Sequence, residues 1–582
     1  MRRQYDVAII GGGPAGSITA GLLRKYDRRI RVAVFEREAF PRDHVGESLL
    51  PRACNVLDEV GVWDKVEAAD FPIKVGATYK WGKSAELWDF LFTNEEEIAK
   101  LPRPGKYEGC RRSSTFQVDR SVFDKILLDH AADLGAEVYE RTPVRSVQID
   151  GDFIESLTLE NGDKVVAEYY VDASGHSGFL RRAMNVGVEN PTSLQNIAVW
   201  DYWQNTEWAV RIGVGGTRVQ VFSVPFGWVW FIPLGPTRTS IGLVTSAEYY
   251  KNSGKKPAEL YERALTAEPL LVDLIKNATC EKRLSTTTDW SFLSERMFGE
   301  NWFLVGESAG FADPILAAGL TIAMVGAREL AYSIAAARKG RFSRAWLGKE
   351  YDRRQRAAII NHVRFAQYWY TANSQFSEMK EFTAVLAKDA GLSLEPDQAW
   401  AWLAQGGFIG EDGIVGMGEC DLGQMKGISH FLGDADIGSV LDSNNEFQLN
   451  VQDARLENRA SYRGGEVFEV PTYLRDDRRL PMIERFQFWL SVLQNESHWP
   501  GILRCLHEAT DHLKPDKFRF WGAIRDLLES LEAMIADGWV IARHNPNLPL
   551  QNVSLPPVGQ LRVNTDEAKL HDLNDRNASS TQ

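Results

Sequence analysis

Cysteine is scarce in this chain. Its five examples among 582 residues, Cys54, Cys110, Cys280, Cys420 and Cys505, include no C-x-x-C pair. That excludes a disulfide-stapled scaffold and a thiolate metal knuckle, so no metal site is expected, and it fits thiols kept reduced in a cytosolic compartment. Basic charge is also in deficit: 66 Lys and Arg against 79 Asp and Glu give a formal net charge of −13. The surface as a whole therefore lacks a phosphate-binding footprint, and no nucleic-acid partner is expected. Long apolar runs are missing too. The longest, around Ile315 to Ala327, lies between Asp313 and Arg328 and is short of the ~20 residues that a bilayer requires. The opening Met-Arg-Arg leads to Asp6 and a glycine run rather than to a cleavage site of small residues. A cytoplasmic protein without a membrane partner is the expectation, and no internal repeat or long low-complexity tract is present. What the chain does have is a globular composition, 44% hydrophobic and 25% charged, at a length that implies two or three domains.

The most informative stretch is the first strand-turn-helix, where Gly11, Gly13 and Gly16 stand in G-x-G-x-x-G spacing after the apolar run Val7 to Ile10. The first glycine permits a tight turn, the second lets the backbone approach a pyrophosphate, and the third packs helix on strand. Pro14 and Ala15 open a helix predicted to reach Lys25, whose N-terminal amides face the phosphate charge. A second strand, Val32 to Phe35, ends at Glu36 and Arg37, which puts a carboxylate at the distance where it receives a ribose hydroxyl. An ordinary glycine turn would not need that acidic residue.

The rest of the pattern is α/β, a Rossmann-like dinucleotide domain over residues 1–342 with an inserted antiparallel β-sheet at about 190–285. Trp, Val, Phe and Thr recur there at strand spacing and suit a roof over a substrate pocket. The region 343–582 reads as mostly helical. Helix Trp521 to Ile535 followed by Gly538 to Arg543 gives 465–550 a winged-helix-like outline, but Asp526, Glu529, Glu532 and Asp537 make that helix acidic, so packing rather than DNA reading is expected. The tail 565–582 reads as disordered. No second dinucleotide fingerprint appears: Gly213 to Gly216 precedes a strand, and the glycines between Gly406 and Gly423 lack the strand before and the acidic residue after.

Four motifs taken together resemble the flavin-dependent halogenases over roughly residues 1–335. They are the glycine cradle with Glu36, the run Gly46-Glu47-Ser48, the segment Gly306 to Gly319, and Trp228-Val-Trp-Phe-Ile-Pro233, the W-x-W-x-I-P element that marks this family. Trp228 and Trp230 occupy alternate strand positions, so both indoles point to one face. Together with Ile232 and Pro233 they would shield a flavin from organic substrate while admitting something as small as a halide. Two tryptophans packing an ordinary core is the bland alternative.

The resemblance implies FAD, supplied in reduced form by a separate flavin reductase, with O2 and chloride or bromide as co-reactants and hypohalous acid as the diffusing oxidant. Lys74, on the strand after the Gly-Glu-Ser run, is implied as the lysine that presents the halogen to an aromatic substrate, with Lys80 as the fallback. Gly11, Gly13, Pro14, Ala15, Gly16, Glu36, Arg37, Glu47, Ser48, Gln117, Arg120, Val144, Asp172, Gly306, Glu307, Pro314 and Gly319 are implied in FAD binding. For Arg120 a salt bridge, and for Asp172 a structural role, stay open. The backbone amides of Gly319 and Leu320 are implied as halide donors. Ala317 and Ala318 stand where the family usually has hydroxyl residues, and Leu316 stands where tryptophan halogenases have a glutamate. The chain therefore resembles the phenol or pyrrole branch, acting on a free or carrier-tethered aromatic. A flavin monooxygenase or prenyl-type reductase, and a non-catalytic FAD-binding assembly protein, are the alternatives on the same scaffold.

Overall fold

Val7, Ala8 and Ile9 have no solvent exposure on either face of the first strand, the signature of a central strand in a parallel sheet covered by helices. In the computed structural model this strand is β1 (Arg2–Ile10), followed by α1 (Pro14–Tyr26) and β2 (Val32–Phe35). The model describes residues 2–81, 87–91, 115–191, 195–207, 216–235, 237–288, 291–371, 439–476, 478–515, 517–553 and 560–564, with a few positions between 384 and 414. The predicted tail 565–582 lies outside them.

After α2 (Pro51–Val60) come β3 (Ile73–Lys80), β4 (Thr115–Phe116), α3 (Arg120–Asp133), β5 (Glu137–Tyr139), β6 (Val144–Asp150), β7 (Phe153–Leu159) and β8 (Lys164–Asp172). The next strands are β9 (Asn196–Gln204), β10 (Gly216–Val224), β11 (Gly227–Pro233) and β12 (Arg238–Ser246), backed by α4 (Pro257–Ala267) and α5 (Pro269–Ile275). Then β13 (Trp302–Leu304) leads to α6 (Gly319–Arg338) and α7 (Arg344–Thr371). The first sheet runs β5-β2-β1-β8-β7-β6, with β13 also on β8. Its β5, β2, β1, β8 and β13 are mutually parallel, and β7 and β6 return antiparallel.

The second sheet has ten strands, and its central run is β9-β12-β11-β10-β3. Strands β9 to β12 fall within the expected insertion, but β3 comes from far upstream and pairs parallel with β10. Local periodicity reveals a strand and not its partner, and a parallel partner is never the adjacent hairpin. Helix α6 is 20 residues long and apolar enough to cross a bilayer by length and composition, although 78% of its most apolar window is buried inside the protein. It extends further than the apolar run suggests because Glu329 sits within it, paired to Arg354 at 2.6 Å and Gln355 at 2.7 Å on α7.

Those bonds, with the Tyr351 hydroxyl donating to the Leu304 carbonyl at 2.9 Å, correct the expected boundary at 342/343. The first compact unit continues to Gln367, and most of residues 368–561 form a second. Among its described residues that second unit mixes helices with strands. It has helices Glu484–Val492, Trp499–Thr510 and Lys517–Ala536 around Trp489, Trp499 and Trp539, but also strands Glu446–Leu449, Arg455–Arg463, Glu466–Arg475, Arg478–Pro481 and Val540–Arg543. Strand 455–463 is so charged that only Ala460 and Tyr462 are buried in it, which hides its period-two pattern from sequence. The strand after the last helix pairs with 446–449, outside the stretch expected to resemble a winged helix.

At Gly11 the chain has φ +105°, and a Cβ would lie 2.3 Å from the carbonyl oxygen of Ala173. Both strain and backbone clash oppose a side chain there. Gly11→Ala is therefore expected to lower stability by about 2 kcal/mol or more and to release FAD, measured by thermal unfolding and flavin absorbance after gel filtration. Normal flavin retention would contradict this account.

Candidate active site

The cradle is built by close approach. A Cβ on Gly16 would sit 2.0 Å from the Gly11 carbonyl oxygen, so α1 rests directly on the end of β1. Gly13 is different: it is the residue before α1, and a Cβ there would meet only Nη2 of Arg42, at 3.5 Å. Open space, the free amides at the start of α1, where Pro14 occupies the first position and Ala15 is buried, and a guanidinium overhead suit a pyrophosphate. Arg42 escaped the sequence reading because it lies in a loop with no motif; its guanidinium also stacks 4.7 Å from the Phe40 ring centre. Glu36 is buried and accepts the amides of Gly12 at 2.7 Å and Glu38 at 2.9 Å. Its neighbour Arg37 is exposed and paired with Glu38 at 3.2 Å. Val144 begins β6, just after Thr142, whose amide donates to the Glu36 carbonyl at 2.7 Å.

Asp172 takes up the structural role left open for it. Its buried carboxylate accepts the amide and hydroxyl of Ser174 at 3.0 and 2.6 Å and the amides of Leu180 and Arg181 at 2.7 and 3.2 Å. Four donors fill its acceptor directions, so it organises the turn after β8. Arg120 likewise serves the protein: it pairs with Asp124 through two bonds of 2.7 and 2.9 Å and donates to the carbonyls of Val45 and Gly46 at 2.8 and 3.2 Å. It holds the loop that leads into Glu47.

That loop runs extended beside residues 116–118, with Ser48 bridged to Gln117. Alternation then separates the side chains. Ser48 Oγ and both polar atoms of Gln117 are buried with no protein partner, as expected of groups that complete their hydrogen bonds on a polar cofactor. Glu47, expected as a flavin contact, sends Oε1 toward the second sheet, where it accepts the Tyr202 hydroxyl at 2.8 Å, while its Oε2 is buried with no protein partner.

Lys74 and Lys80 both lie on β3, and strict alternation would put them on one face. They are not. Thr217 pairs with Lys74 but Arg218 pairs with Gly76, so β3 carries one extra residue, a bulge that reverses the facing of everything before it. Lys74 is 1% exposed and its Nζ donates to the Leu49 carbonyl at 2.9 Å, on the cofactor-domain side. Lys80 points the other way, into an ion pair of 2.8 Å with Glu268 at the start of α5.

The same two faces sort β11. Val229 and Phe231 enter a core with Ile241, Leu243, Leu260 and Leu271, closed by α4 and α5. Trp228, Trp230 and Ile232 therefore stand on the opposite face, all buried, with Pro233 buried at the strand end. The Trp228 and Trp230 rings are 6.1 Å apart, Trp200 is 6.4 Å from Trp230, and Trp230 Nε1 donates to Ser240 Oγ at 3.1 Å. Gly242 is opposite Trp230, and a Cβ there would lie 2.1 Å from the indole. Tethers from this face reach two loops of the cofactor domain: Tyr202 to Glu47, Asn196 Nδ2 to Asp313 at 3.1 Å, and the Tyr79 hydroxyl to the Ile315 carbonyl at 3.3 Å.

The second of these loops begins at Gly306, whose φ is +66° and whose missing Cβ would be 3.1 Å from that of Ala15. It brings Glu307 near His44 and Arg120, whose charges it influences. Pro314 opens a short turn capped by Asp313, and Ala317 is left-handed at φ +54°. Gly319 and Leu320 are the first two residues of α6, so their amides have no partner within the helix. The next residue is Thr321, whose Oγ1 is buried and unpartnered. This hydroxyl lies after Gly319, whereas the family pattern expects hydroxyl residues before it, where Ala317 and Ala318 stand. Among the described residues no cluster of His, Cys, Asp or Glu could hold a metal ion.

Burial pushes the Glu47 carboxyl up to about 7, against the opposing pull of Tyr202, Ser240, Arg120 and Arg238. In the unfolded chain it would titrate near the ordinary ~4.3. A raised carboxyl contributes stability below that ordinary value and loses it as pH rises through about 7. The melting temperature of Glu47→Gln relative to the parent is thus expected to be more favourable at pH 8 than at pH 5. A pH-independent difference would refute the shift.

Comparison with known proteins meets this geometry. A family model described as FAD binding domain matches residues 4–366. The chain is 32% identical to a tryptophan 2-halogenase of Chondromyces crocatus, over 63% of this chain and 68% of that protein. It is 33% identical to the 1H-pyrrole-2-carbonyl-[peptidyl-carrier protein] chlorinase of Pseudomonas fluorescens, over 64% and 85%. Among solved structures, the myxobacterial chondrochloren halogenase CndH superposes with a TM-score of 0.58 at 28% identity, covering 67% of this chain and 91% of that one. The flavin-dependent halogenase CmlS shares the fold at TM-score 0.69 and 24% identity, over 96% of this chain and 98% of that one. A glycine cradle, buried unpartnered polar groups beside it and a tryptophan-walled sheet face are thus the frame of an FAD-dependent oxidoreductase, and the chain belongs to the flavin-dependent halogenases.

Proposed function

We propose that this halogenase acts on an electron-rich aromatic of phenol or pyrrole type, free or tethered to a carrier protein, with Lys74 presenting the halogen. Bound reduced FAD, with O2, supplies the oxidising equivalent that turns chloride or bromide into hypohalous acid. The protein's own groups do the rest. The amides of Gly319 and Leu320 and the Thr321 hydroxyl hold the halide by charge-dipole attraction at the start of α6. Trp228 and Trp230 exclude organic substrate from the flavin. The Lys74 ammonium donates a hydrogen bond to the oxygen of the neutral acid, which draws electron density from the halogen; the ring attacks the halogen, hydroxide leaves as water, and the ring proton is lost.

The β3 bulge carries this reading. It separates Lys74 from Lys80 and directs Lys74 to the Leu49 carbonyl. A pyrrolyl group on a carrier protein is the substrate named for one relative and tryptophan for another; Leu316, where tryptophan halogenases have a glutamate, favours the former type. A separate flavin reductase and a cytoplasmic location follow from the missing second dinucleotide fingerprint and from the scattered cysteines. Incubation with a reductase, bromide and a panel of phenols, indoles and pyrroles should give bromide-dependent mass shifts on phenols or pyrroles; NAD(P)H-coupled hydroxylation without halide would overturn the proposal.

Lys74→Ala is expected to retain FAD and lose about a hundredfold or more of halogenated product, whereas Lys80→Ala stays within a few-fold of the parent. The reverse order would move the role to Lys80. Thr321→Ala should raise the halide KM about tenfold, the equivalent of one hydrogen bond to an anion, and Thr321→Ser should restore it.

A further inference from the structure

We propose that Asn196 and Tyr79 are positioning residues for halide binding: reaching from two strands of the second sheet, they hold the turn Asp313 to Ala318 in the shape that presents the amides of Gly319 and Leu320. The inference rests on the reading of those amides and Thr321 as the halide site.

The turn is anchored at both ends by the cofactor domain. Before it, Phe311 pairs with Phe292 in a short antiparallel ladder, and the Ser291 hydroxyl donates to the Ala312 carbonyl. After it, Gly319 lies so close to the Phe311 ring that a Cβ would be 2.5 Å away, and the Ile322 amide donates to the Ala318 carbonyl at 2.9 Å. Between these anchors the backbone needs support, because Ala317 stands in the left-handed region at φ +54°, which an alanine adopts only at a cost. Within the turn, the Ala317 amide donates to the Pro314 carbonyl at 3.0 Å, and Asp313 Oδ1 accepts the Ile315 amide at 2.9 Å.

Further hold comes from the sheet. Asn196 Nδ2 donates to Asp313 Oδ2 at 3.1 Å, and the Tyr79 hydroxyl donates to the Ile315 carbonyl at 3.3 Å. All four residues are buried. Asp313 uses one carboxylate oxygen on its own turn and the other on Asn196, so the grip of the sheet passes directly to the backbone two residues on. Register places both donors on the tryptophan face: Tyr79 is opposite Val221 and Val221 opposite Trp230, while Asn196 lies an even number of residues before Trp200 on β9. Strands β9 and β3 lie on either side of β11. The two tethers therefore straddle the strand that carries Trp228 and Trp230, and they fix the halide turn to the same sheet that carries Lys74.

The test uses the full-length holoenzyme with a flavin reductase and saturating FAD. Bromide KM and kcat are measured for Asn196→Ala, Tyr79→Phe and Thr321→Ala, and amide hydrogen exchange of the FAD-bound protein is followed by mass spectrometry in peptides covering residues 312–322. FAD affinity, from quenching of flavin fluorescence, is the folding control. Asn196→Ala should raise bromide KM about tenfold, as for one lost hydrogen bond to a charged group, and Tyr79→Phe about threefold, as for a neutral one, with kcat within about twofold of the parent. Exchange in the peptides should quicken in both. Unchanged exchange in both variants overturns the proposal, and so does faster exchange with bromide KM unmoved while Thr321→Ala raises it. Should exchange quicken while KM moves in none of the three variants, the halide reading fails and only the hold on the turn stands.

Discussion

Val229 and Phe231 enter a core closed by α4 and α5, and because a strand sends successive side chains to opposite faces, their burial obliges Trp228 and Trp230 to stand on the other side. Fully burying such side chains stabilises by roughly 1.5–3 kcal/mol each, so a one-residue slip that exchanged the faces would be strongly opposed. The tryptophan face is therefore a by-product of ordinary hydrophobic packing, held without strain of its own. Gly242, by lacking a side chain, makes room for the indole.

The bulge in β3 is the one departure from this alternation, and it falls at Lys74. A lysine on the outer face would meet a carboxylate, as Lys80 meets Glu268. The extra residue turns Lys74 inward, where its ammonium donates to a backbone carbonyl. The glycine cradle follows the opposite logic, since Gly11 and Gly16 bring backbone against backbone and only Gly13 faces open space. Rigidity below and access above are what a bound dinucleotide needs.

Polar groups divide in the same way between structure and function. Asp172 and Arg120 satisfy their hydrogen bonds within the protein and shape the turns around the cofactor domain. Ser48, Gln117 and Thr321 are buried with side-chain atoms that find no protein partner. Buried polar groups are ordinarily paired, so these three point to a ligand, while Glu47, half satisfied and displaced toward neutrality, belongs to the sheet as much as to the loop that carries it.

Local chemistry in the sequence was enough for the glycine cradle, for Glu36 at the end of β2, for the shared face of Trp228 and Trp230 and for the α/β class, because each depends on spacing along one segment. Arg42 was invisible, since its place over Gly13 comes from a loop without a pattern. The partner of β3, the continuation of the first unit through α7 and the strands between 446 and 481 were decided by pairing across distant segments, which propensity does not encode. Whether Lys74 or Lys80 faces inward could not be settled from β3 alone, as the bulge exists only in its register with β10. Side-chain identity can be read one residue at a time, whereas facing depends on which strand lies alongside, and only the assembled sheet supplies that.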